Sequence, residues 1–62
     1  MKRWLNVELS KEDSKNFKVF LRNNEIAFET SGAYNLVHFE VYVDEFEEQL
    51  CNMFLDGKID VL

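Results

Sequence analysis

From Val37 to Val43 apolar and polar residues alternate without a break: Val37, Phe39, Val41 and Val43 on one parity, His38, Glu40 and Tyr42 on the other. A period of two sends successive side chains to opposite sides of a strand, so this segment has one face to bury and one to leave open. Its β-branched and aromatic residues suit a pleated, half-buried surface. Such a strand cannot stand alone. It needs neighbours for its backbone hydrogen bonds and a second layer over its apolar face, and a chain of 62 residues must supply both.

Two further segments carry the same period. Leu5, Val7 and Leu9 alternate with Trp4, Asn6 and Glu8 near the start, and Ile26, Phe28 and Thr30 alternate with Ala27 and Glu29 before a turn-forming stretch, Ser31-Gly32-Ala33-Tyr34-Asn35. Between the first two strands the spacing becomes helical. Ser10 offers a capping oxygen, Glu12 and Asp13 favour the positive end of the helix dipole, Phe17, Phe20 and Leu21 form an apolar stripe, and Asn23-Asn24 is the expected exit. After the third strand, Asp44 and Glu47 have the spacing of a capping box, and Phe46, Leu50, Met53 and Phe54 mark the expected buried face of a second helix, with Gly57 as its terminator. The tail Lys58-Ile59-Asp60-Val61-Leu62 alternates once more and has room for a short fourth strand. The predicted fold is α+β, in the order β-α-β-β-α with an optional last β. That is the ferredoxin-like, or split βαβ, arrangement: an antiparallel sheet with both helices on one face and the first and third strands adjacent.

A chain this short has material for one core and one domain, spanning residues 1–62. That core is rich for its size, since 47% of the residues are hydrophobic and six are Phe. The single Cys51 gives no internal disulfide, so self-association, a homodimer, is the expected reinforcement. A lone thiol without a charged-then-apolar leader makes a reducing, cytoplasmic compartment the expectation. No apolar run approaches the roughly 20 residues that cross a bilayer. Seven Lys and Arg against twelve Asp and Glu give a net charge of −5, which repels phosphate backbones and anionic head groups, so neither nucleic acid nor membrane is an expected partner.

Chemistry-bearing residues are few. His38 is the only histidine, and its same-face neighbours by strand period are Glu40 and Tyr42; with no nucleophile or cleft beside it, no catalytic residue is assigned. Cys51 falls on the flank of the second helix's apolar arc near Glu47, where a carboxylate raises a thiol pKa. No metal or cofactor is expected. Cys51 and His38 are the only soft ligands, and the acids of Asp44-Glu45-Phe46-Glu47-Glu48 lack the spacing of a calcium loop.

Two surfaces stand out instead. Lys11, Lys15, Lys18 and Arg22 recur at spacings of four, three and four, forming a positive stripe on the first helix that could meet an acidic partner or carboxylates of the second helix. On the uncovered sheet face, adjacency of the first and third strands sets Trp4, Asn6 and Glu8 beside His38, Glu40 and Tyr42. Amphipathic aromatics ringed by charge are the composition of a binding surface. The leading expectation is therefore a small non-catalytic protein-interaction domain, an inhibitor, antitoxin or adaptor, contacting its protein partner through Trp4, Glu8, His38, Glu40 and Tyr42. Two alternatives are a dimeric domain that binds a small regulatory molecule and an inhibitor whose carboxylates mimic DNA phosphates.

Overall fold

The computed structural model describes residues 1–58, with the backbone alone at Ala33. The elements run β1 (Arg3–Ser10), α1 (Lys11–Asn23), β2 (Ala27–Ala33), β3 (Leu36–Val43) and α2 (Glu45–Leu55). The three strands make one antiparallel sheet in the order β1-β3-β2, so the strand with the strictest alternation is the central one. Both ladders are continuous, from Arg3↔Val43 to Ser10↔Leu36 and from Ala27↔Tyr42 to Ala33↔Leu36. The fold is thus α+β with three antiparallel strands and two helices. The expected fourth strand, over residues 59–62, lies outside the described residues.

Phe39, Val41 and Val43 are fully buried beneath the helices, and Phe17, Phe20, Leu21, Ile26 and Cys51 complete the core. Aromatic rings dominate it. Phe17 meets Phe39 edge-on at 4.9 Å between centroids, and Phe20 stacks on Phe54 at 4.6 Å, so one contact joins α1 to the sheet and the other joins the two helices. Such pairs contribute about 0.5–1.5 kcal/mol beyond the area they bury.

Helix starts follow the sequence. Ser10 Oγ accepts from the Asp13 N–H, and Asp44 and Glu47 form a reciprocal capping box. Three expectations are corrected. β2 runs on through Ser31, Gly32 and Ala33, leaving only Tyr34 and Asn35 between the strands, because pairing with Leu36, Val37 and His38 outweighs the turn propensity of Ser and Gly. The left-handed residue ending α1 is Glu25, at φ 56°, and neither Asn23 nor Asn24. Ile26 N–H donates to Leu21 O and Glu25 N–H to Arg22 O, the Schellman pattern, while Asn24 Nδ2 caps Phe20 O at 2.8 Å.

The third correction concerns α2. Phe46 is 68% and Met53 40% exposed, whereas Cys51 is fully buried and Glu47, Leu50 and Phe54 are partly so. The helix is therefore rotated towards 47, 50, 51 and 54. Only Asp44 separates β3 from α2, so the inward-facing Val43 and the capping box set the phase of the first turn before apolar content does. Glu47 tolerates the inward side because its carboxylate accepts from the Asp44 N–H and pairs with Lys2 at 3.3 Å.

Candidate functional site

The uncovered face of the sheet is built in rows across β1, β3 and β2. The register sets Trp4 beside Tyr42 and Tyr42 beside Ala27; next come Asn6, Glu40 and Glu29; then Glu8, His38 and Ser31. In β1 and β3 the opposite parity holds the apolar residues turned to the core, whereas in β2 only Phe28 of that parity is apolar and partly buried, and the register to β3 sets Ala27, Glu29 and Ser31 on the open face.

The first row is aromatic. Trp4 and Tyr42 lie 5.0 Å apart with their planes tilted by 44°, yet stay 52% and 38% exposed. Lys2 Nζ sits 6.0 Å from the Tyr42 ring centre, within the range of a cation–π contact. The second row sets two carboxylates, Glu40 and Glu29, directly opposite each other, which is unfavourable for the sheet itself. In the third row His38 is half-buried between Glu8 and Ser31. No hydrogen bond or ion pair joins His38 to Glu8 or Glu40 among the described residues.

An open depression of about 550 Å³ lies where this row meets the β2–β3 turn, walled by Glu8, His38, Leu36 and Tyr34. Tyr34 is almost wholly exposed, and its backbone is left-handed at φ 56°. Sequence reasoning assigned Tyr34 to the turn and gave it no role; its signal was a large aromatic at a turn tip.

The five residues expected at a partner surface, Trp4, Glu8, His38, Glu40 and Tyr42, thus share one face, and Glu29, Leu36 and Tyr34 extend it. The stripe of Lys11, Lys15, Lys18 and Arg22 belongs to α1; all are exposed except Lys18, which is half-buried. The carboxylates of α2 that were candidates to pair with it turn to β1 and the residue before it, Glu48 to Arg3 and Glu47 to Lys2. Cys51 lies in the core and not at its margin, and its thiol pKa is pushed up to about 11, first by burial and then by Glu47 and Glu48. Among the described residues no group of three His, Cys, Asp or Glu side chains is placed to hold a metal ion, and no helix is long and apolar enough to cross a membrane. No protein-family model, curated protein or solved structure matches the chain.

Proposed function

We propose that the chain is a non-catalytic, cytoplasmic protein-interaction domain of the inhibitor, antitoxin or adaptor kind, which docks a protein partner on the uncovered face of its sheet. One observation carries this reading. The packed Trp4–Tyr42 pair lies on the face that the helices leave open, in a row next to the opposed carboxylates Glu40 and Glu29. Rigid aromatics supply contact area at low entropic cost, and a ring of charge gives register. Opposed carboxylates gain from a partner's Lys or Arg side chains, which relieve their mutual repulsion.

The placement of β3 between β1 and β2, with β1 and β2 flanking it antiparallel, supports a ferredoxin-like classification of the fold. A second functional reading, a small-molecule regulatory domain, is favoured by the depression beside Tyr34 and His38, whose volume falls within the range of ligand pockets.

The deciding experiment is partner capture by variants that keep their circular dichroism spectrum. Trp4→Ala and Tyr42→Ala each weaken capture by about 30-fold to nearly 1,000-fold, the effect of losing an interface anchor of roughly 2–4 kcal/mol. Reversal of Lys15 and Lys18 leaves capture intact. If the reversals abolish capture and the aromatic truncations do not, the α1 stripe is the binding surface.

A further inference from the structure

β2 is an edge strand, with β3 on one side and no strand among the described residues on the other. Edges are commonly guarded by proline, charged side chains and lysine above all, a bulge or extreme shortness. The seven residues of β2, Ala-Phe-Glu-Thr-Ser-Gly-Ala, contain no proline or lysine and one charge, Glu29, and their ladder to β3 is unbulged. We propose that the occupant of this edge is the same strand of a second copy, paired antiparallel about a two-fold axis through Thr30, which joins the two three-stranded sheets into one of six strands. The idea does not rest on the interaction reading above.

The sequence of β2 selects that axis. An axis perpendicular to the sheet keeps the core faces of both copies on the same side, and a residue i then pairs with a residue of the same parity. Centring on Thr30, the middle of Ala27–Ala33, pairs all seven residues: Thr30 with Thr30, Glu29 with Ser31, Phe28 with Gly32 and Ala27 with Ala33 of the other copy. Moving the axis by one residue towards the N-terminus sets Glu29 on Glu29, a like-charge pair at the two-fold. Moving it the other way leaves Ala27 and Phe28 beyond the ladder. At Thr30, each Glu29 meets a hydroxyl. Thr–Thr pairs stabilise sheets, and the half-buried Phe28 ring covers Gly32 of the other copy, where a side chain would meet nothing within 4 Å.

Sedimentation equilibrium and cross-linking of the full chain test this. The expected result is a concentration-dependent dimer. Under mild oxidation, Thr30→Cys gives a covalent dimer at least several-fold faster than Glu29→Cys; the native Cys51 is fully buried and does not compete. Ser31→Glu places a carboxylate against Glu29 twice over and raises the dissociation constant about 10-fold or more, and adding Glu29→Lys restores it. Both positions are exposed, so the fold is kept; should Ser31→Glu nevertheless unfold, the cross-linking rates decide alone. A chain monomeric up to millimolar concentration, a dimer that cross-links faster at Glu29→Cys, or a dissociation constant unmoved by Ser31→Glu in a folded protein would each overturn the proposal.

Discussion

The two helices cover the same face of the sheet by different means. α1 buries Ser14, Phe17, Phe20 and Leu21, and its attachment is apolar; Ser14 turns its hydroxyl back onto Lys11 O. α2 buries only Cys51 outright and leaves Phe46 and Met53 to solvent. It is fastened by a capping box and by two ion pairs to the start of the chain, Lys2–Glu47 and Arg3–Glu48. Their ends differ as well. Both close with Schellman hydrogen bonds, but α2 places Gly57 at the left-handed position, φ 77°, where α1 places Glu25. α1 is thus a hydrophobic element with a strained exit, and α2 a polar-fastened element with a relaxed one.

That contrast breaks most visibly at Phe17, whose ring touches those of Phe20, Phe39 and Phe54. Phe17→Ala should cost about 3–5 kcal/mol, enough to unfold a domain of this size, as read by loss of the cooperative melt. Next in size is alkaline sensitivity through α2. The Cys51 thiol is raised from about 9 to about 11 in the folded chain. Between those values the unfolded chain has released the proton and the folded one retains it, so stability falls as pH rises from about 9 and levels off above about 11, by about 1–2 kcal/mol in all after solvent screening. Subtracting the pH profile of Cys51→Ala isolates this contribution.

Smaller effects sharpen the comparison. Asp44→Ala removes one arm of the capping box and should cost about 1 kcal/mol in urea titrations. Glu25→Gly should add about 0.5–1 kcal/mol by relieving the left-handed backbone, and no such gain exists at the end of α2. Smallest of all, Phe46→Ser should stay within about 0.5 kcal/mol of the parent. A Phe46→Ser loss comparable to that of Phe17→Ala would mean that α2 packs with the other stripe inward.

The residues that told their fate in advance were those with one unambiguous period. In β3 from Val37 onward and in α1 a single apolar stripe dominates, and the apolar residues off it, Leu36 and Val19, stay exposed, so one face is favoured for burial. α2 offers two overlapping stripes, 46-50-53-54 and 47-50-51-54, sharing Leu50 and Phe54. The choice between them depends on a one-residue connection and a carboxylate–ammonium contact with Lys2, which no periodicity encodes. Likewise Ser31 and Gly32 have turn chemistry locally, and only the length of the facing strand draws them into β2. The open face was legible for a simpler reason: once the neighbouring strands are known, the residues across it follow by parity. Glu29 was missed because its grouping with Glu40 depends on the register of β2 against β3, which is set at the turn, and Tyr34 because it lies in that turn, outside the period of either strand.

Lys2, just before β1, contacts a residue of the open face and a residue of α2 at once. Its ammonium lies between the Tyr42 ring on one side and the Glu47 carboxylate on the other, and the same Glu47 oxygen accepts the N–H of Asp44. Any molecule that settles on Tyr42 must either retain that cation or displace it. Displacement removes the ion pair and leaves Glu47 Oε1 with the Asp44 N–H alone, whereas retention keeps both contacts. If occupancy of Tyr42 shifts that cation, linkage requires that fraying the first turn of α2 change affinity at Tyr42 by the same factor, and amide exchange in that turn is the measurement that reads it.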